Sequence, residues 1–198
     1  MIPFNHLGWF FKYLGPAAYP KEVVEALCDF LHPVAQNAPL LDLGSGTGVL
    51  SEFTHSCRHD LEFIALDPAG GMLNFSPDYV RTHTARAEAL PFEESSFEVV
   101  LIGEALHHFQ EPERSVAEIA RVLGSGGRLF IYEFDPQTFI GKSICIAEKI
   151  VGEPGHFFAR ARPRAMERGL CATFPSPDRW PLWRQPESSA ALLPVSGD

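Results

Sequence analysis

The stretch LLDLGSGTGVL, residues 40–50, decides how the rest of the chain is read. An apolar run carrying one acid, Asp42, meets glycines at 44, 46 and 48 and then turns apolar again. That order fits a buried strand, a sharp turn and a helix. Gly44 ends the strand, where its backbone freedom lets the chain turn. Gly46 leaves space where a ligand would approach the backbone. Thr47 and Gly48 open a helix whose free N–H groups favour an electron-rich partner. The dinucleotide fingerprint GxGxxG would place a third glycine at position 49, which is Val49. The spacing is GxGxG, and a pyrophosphate partner is disfavoured.

Outward from this turn, LEFIALD (61–67), the weaker YVRTHTA (79–85), FEVVLIGE (97–104) and GRLFIYEF (127–134) read as further strands. Helices are predicted over 47–57 and near 69–75, with another in PERSVAEIARVLGSGG. Val116, Ile119, Ala120 and Leu123 recur there at helical spacing, with Pro112 near the start and glycines past the end. Alternating strands and helices require right-handed crossovers. The expected fold class is therefore α/β, a doubly wound, Rossmann-like, mostly parallel sheet with helices on both faces. Ligands bind such sheets beyond the carboxyl ends of the strands, here just after residues 44, 67, 85, 104 and 134.

The 198 residues suit one domain, divided into leading helices (1–38), a cofactor-binding core (39–135), a helix and sixth strand (136–174) and an irregular tail (175–198). A formal net charge of −9 argues against nucleic acid as a partner. No apolar run approaches the roughly 20 residues that span a bilayer. The apolar N-terminus lacks a basic leader and a small-residue cleavage site, so no signal peptide is read. Cys28, Cys57, Cys145 and Cys171 are scattered without a CxxC pair and are read as buried thiols of a soluble, cytoplasmic protein. Positive charge gathers late, in FFARARPRAMERG. Pro175, Pro177, Pro181, Pro186 and Pro194 oppose a central strand in the tail. An open sheet edge there would invite a homodimer through the C-terminal third.

Asp67 ends the second predicted strand 19 residues after Gly48, where a carboxylate would reach the hydroxyls of a ribose held by the glycine turn. With that residue the sequence resembles the class I S-adenosylmethionine-dependent methyltransferases, in their small UbiE-like, small-molecule branch. The resemblance runs from Leu40 to Asp135 and rests on LLDLGSGTG, ALDPAGGML, RAEALPFEESSFEVVLIGEALHHF and RVLGSGGRLFIYE, in that order. It implies S-adenosyl-L-methionine as cofactor and a small-molecule methyl acceptor. It also implies a cofactor site of Asp42, Gly44, Ser45, Gly46, Thr47, Asp67, Pro68, Met72, Arg86, Ala87, Glu88 and Gly103, with no metal. Asp67 would face the ribose and Met72 the adenine. Arg86 departs from the family, which often has a carboxylate or amide there; it can stack on a ring but cannot accept a hydrogen bond. Ala87 can present its backbone N–H, and Glu88 can supply the acceptor. Also unlike the family, only GLCATF (169–174) reads as part of the usual C-terminal antiparallel hairpin, in which a seventh strand lies between strands five and six.

Methyl transfer needs an acceptor held in line and, for oxygen or nitrogen acceptors, a base. Glu104, His107 and His108, in GEALHH just past the fourth strand, are the candidate bases. The acceptor pocket would be covered by the aromatic leading segment and by GHFFARARPRAM. Two other classes stay open on these residues: a non-catalytic cofactor-binding or partner-regulating protein of the same fold, and a nicotinamide-dependent oxidoreductase.

Overall fold

The computed structural model describes residues 3–133 and 170–173. The expectations for the 136–169 region, the prolines of the tail and a C-terminal dimer contact lie outside the described residues. Helices α1 (Pro3–Leu14) and α2 (Lys21–Leu31) lead, separated by a 3-10 turn at Gly15–Ala18. The core then runs β1 (Pro39–Leu43), α3 (Val49–Cys57), β2 (Glu62–Asp67), α4 (Gly70–Leu73), β3 (Arg81–Thr84) and β4 (Phe97–Gly103). A 3-10 turn at Leu106–His108 leads to α5 (Pro112–Val122), β5 (Leu123–Tyr132) and, later, β6 (Leu170–Thr173).

These strands form one sheet in the order β3-β2-β1-β4-β5-β6. The first five are parallel, and β6 runs antiparallel to β5. β1, β2 and β4 are nearly continuous apolar runs because their side chains are buried on both faces, whereas β3 (RTHT) at the sheet edge is exposed throughout. Leu40, Phe63, Val99, Leu101 and Phe130 pack on one face with Leu27 and Leu31 of α2. Leu41, Leu43, Ile64, Val100, Ile102 and Leu129 pack on the other with Ile119 and Val122 of α5.

Three details correct the sequence reading. Residues 170–173 lie directly beside β5, pairing Arg128–Ile131 with Leu170–Thr173, so they occupy the place in which a seventh strand was expected. The open edge of β5 carries backbone donors and acceptors that need partners, and β6 satisfies them. Next, β5 starts at Leu123, not Gly127, and the GSGG run is accommodated by a register shift against β4 between Phe97 and Val99. Finally, Cys28 and Cys57 are not separate thiols: they form a disulfide between α2 and α3.

Candidate functional site at the carboxyl ends of the strands

The first turn is built as its glycines suggest. Gly44, Gly46 and Gly48 have φ of 73°, 55° and 79°, all in the region that disfavours side chains. A Cβ on Gly44 would collide with that of Ala105, so the glycine turn and the turn after β4 are in contact. Beneath the turn Asp42 is almost fully enclosed, at 1% exposure. Its Oδ2 accepts from the Ser51 backbone N–H at 3.1 Å and from Ser51 Oγ at 2.6 Å, which fastens α3 to β1. Burial pushes its carboxyl up to about 6 against the lowering effect of the Ser51 bonds, and Asp67 adds a further upward push.

Asp67, at the end of β2, accepts from Gly46 N–H at 2.9 Å and from Ala69 N–H at 2.7 Å. It thereby bridges the glycine turn to the start of α4. Burial raises its pKa, and the two backbone bonds oppose the rise. Met72 of α4 reaches back over the turn, its Cε 3.1 Å from where a Cβ of Gly46 would lie. Pro68 is exposed, and Thr47 is buried. The Ser45 hydroxyl is enclosed without a hydrogen-bond partner.

Arg86, Ala87 and Glu88 stand between β3 and β4. Glu88 is committed to the protein: one oxygen accepts from Gln110 and Glu111 N–H at 2.8 and 3.2 Å, and the other faces Arg86 Nε at 3.4 Å. Burial raises its pKa, but the backbone bonds and Arg86 outweigh it and lower the carboxyl overall. Ala87 is buried at 5% exposure, while the Arg86 side chain is 41% exposed.

Gly103 ends β4 directly beneath Tyr19, whose hydroxyl leaves no room for a Cβ there. Glu104 follows with φ of 56°, a conformation that costs a non-glycine residue energy. His107 is 3% exposed, and its Nδ1 lies 2.5 Å from Glu133 Oε2. The His108 ring is 4.1 Å from that of His107 between centroids. Glu133 was not singled out by the sequence reading. Its only sequence signal was its place near the end of the predicted fifth strand GRLFIYEF, at the close of RVLGSGGRLFIYE. Nor was Tyr19 assigned a site role beyond membership of the aromatic leading segment. Its pKa is raised well above the usual value by burial first, then by Glu104, Asp42, Glu133 and Tyr132. Among the described residues no three His, Cys, Asp or Glu side chains form a metal-binding group. No helix among them is long and apolar enough to cross a membrane.

Residues 41–131 match the family described as methyltransferase domain. A malonyl-[acyl-carrier protein] O-methyltransferase from Methylococcus capsulatus is 33% identical over 167 residues, 81% of this chain and 60% of that protein. A demethylmenaquinone methyltransferase from Renibacterium salmoninarum is 38% identical over 104 residues, 50% of this chain and 43% of its own. The chain thus spans about half the length of these curated relatives. A solved structure from Methanococcus maripaludis, assigned as an S-adenosyl-L-methionine-dependent methyltransferase, matches with a TM-score of 0.60 at 16% identity. That match covers 76% of this chain and 74% of the other, and it shows a shared fold.

Proposed function

We propose that this chain, whose residues 41–131 match the methyltransferase-domain family, binds S-adenosyl-L-methionine and passes its methyl group to a small-molecule acceptor. The observation that carries this reading is the meeting of the glycine turn, Asp67 and Met72 on one side with the Gly103–His108 turn on the other. The two halves touch at Gly44 and Ala105.

The residues fit such a cofactor. The turn is side-chain-free at 44, 46 and 48, and the enclosed Ser45 hydroxyl has no protein partner. In this reading Gly44, Ser45, Gly46 and Thr47 hold the methionine portion, and Asp42 braces the turn through Ser51. Asp67 and Pro68 face the ribose. Each Asp67 oxygen accepts one backbone bond, which leaves lone-pair capacity for a hydroxyl donor. Met72, Arg86 and Ala87 border the adenine, and Glu88 orients that edge through Arg86. Bound S-adenosyl-L-methionine would supply an electrophilic methyl group on a sulfonium, with a neutral thioether as leaving group. The absence of a side chain at Gly103 makes room for Tyr19 and Leu50 beside the turn, and Glu104, His107 and His108 are the groups that could take a proton. The names of the relatives point to carrier-bound malonyl and quinone acceptors for those proteins.

Calorimetry of the full chain with S-adenosylhomocysteine and, separately, NAD tests the reading. Binding of the first alone is expected; binding of NAD alone would restore the oxidoreductase alternative. Turnover across an acceptor panel, followed as S-adenosylhomocysteine release, separates an enzyme from a non-catalytic binder.

A further inference from the structure

We infer that Glu133 is a positioning residue for His107, fixing the imidazole tautomer that leaves Nε2 as the basic nitrogen beside the methyl site. The inference rests on the proposed function, because it takes the Gly103–His108 turn as the methyl-transfer side of the cleft.

Glu133 immediately follows β5, and its two oxygens divide the work. Oε1 accepts from the Leu106 backbone N–H at 2.6 Å, and Oε2 lies 2.5 Å from His107 Nδ1. The first bond ties the turn to the neighbouring strand end, and Glu104 N–H adds a second tie by donating to Tyr132 O at 2.8 Å. The turn is thus anchored twice just ahead of the histidine. A carboxylate is an acceptor only, so the short contact requires that Nδ1 carries the hydrogen. The other ring nitrogen then has the lone pair in the neutral imidazole. His107 and Glu133 are both well enclosed, with side-chain exposures of 3% and 12%, so water competes little for this bond. His108 on the same turn is a titratable neighbour of His107, with its ring centroid 4.1 Å away.

In the proposed step, the bond from acceptor oxygen or nitrogen to the methyl carbon forms as the methyl–sulfur bond breaks, and its electron pair stays on sulfur. The acceptor proton passes to His107 Nε2, and the imidazolium then faces the Glu133 carboxylate. Nothing is oxidised or reduced. Glu133 touches neither acceptor nor donor in this scheme; it acts through the histidine.

Nitrogen-15 NMR of the full chain, with labelled histidine and His107 identified by its loss in His107→Gln, tests the inference. The wild type is expected in a single Nδ1–H tautomer. In Glu133→Gln an amide that keeps its oxygen on Leu106 N–H turns its NH2 toward His107 Nδ1. The single tautomer should then give way to Nε2–H or to a mixture, while a cooperative melt shows the variant folded. An Nε2–H tautomer in the wild type, or an unchanged spectrum in folded Glu133→Gln, overturns the inference. Should the variant fail to fold, the wild-type tautomer alone decides. Adding S-adenosylhomocysteine should shift the His107 ring signals. The expected tautomer with no such shift would overturn the positioning role in methyl transfer. Failure of S-adenosylhomocysteine to bind at all would instead sink the underlying function.

Discussion

Asp42 holds a carboxyl where burial opposes its charge, and that has a measurable sign. Its folded pKa is pushed from 3.8 to about 6, so the folded state binds more protons than the unfolded chain across that interval. Its contribution to stability is greatest below the unfolded value and is lost as pH rises through the folded one. A difference of about two units is worth roughly 3 kcal/mol. Relative to Asp42→Asn, the wild type should lose stability between about pH 4 and 6, measured by urea unfolding at several pH values. Parallel curves for the two proteins would show that Asp42 titrates normally in the fold. Asp67 leads to a second prediction, because its partners are the turn and, in the proposed function, a ribose. Asp67→Ala should weaken S-adenosylhomocysteine binding at least about ten-fold by calorimetry, the loss expected for charged hydrogen bonds. Unchanged affinity in a folded variant would remove Asp67 from the site. Both residues were legible in the sequence, because Asp42 is the acid within one apolar run that predicts a strand and Asp67 ends another. Glu133 was much less so. Its role depends on two turns, 26 residues apart, being brought side by side by parallel pairing of β4 and β5.

Among the elements, the leading segment shows how a chain end with little sequence patterning becomes part of a site. Tyr19 packs on Tyr132 and Phe53, with ring centroids 5.3 and 5.5 Å apart. The Tyr132 hydroxyl donates to Ala18 O at 3.1 Å, tying the short turn before α2 to β5. Tyr132→Phe removes that bond and should cost about 1 kcal/mol. Amide hydrogen exchange at residues 15–20 should quicken, while the strand amides keep their protection. Equal exchange in both proteins would mean that ring packing alone holds the segment. Gly103→Ala should do more, because the new methyl meets both Tyr19 Oη and Leu50. The strands were legible in sequence because a sheet covered on both faces needs unbroken apolar runs. The start of β5 was not. Its LGSGG run has the composition of a helix end, and only pairing with β4 makes it extended.

For the molecule as a whole, the Cys28–Cys57 disulfide joins the leading helices to the first unit of the sheet domain. The two residues are 29 apart in sequence and sit in α2 and α3, which pack side by side. Nothing in their spacing resembles a redox or metal motif, so the pairing followed only from how the two helices dock. A cross-link of this loop length restricts the unfolded chain by about 3–4 kcal/mol in the entropy account. For a domain of this size, that corresponds to roughly 10 °C of melting temperature. The pair borders a surface groove of about 510 Å³ that also includes His32, Arg58 and Asp60, so small reductants can reach it. Dithiothreitol should therefore lower the melting temperature of the wild type but leave Cys28→Ser, already lacking the link, unchanged. Mass spectrometry of the untreated protein after alkylation should find Cys28 and Cys57 blocked. Cys28 and Cys57 both free to alkylate, with a melt indifferent to reductant, would restore the reading of separate thiols. Such disulfides are uncommon in a reducing cytosol, so the same alkylation performed on intact cells would also report the compartment in which the chain resides.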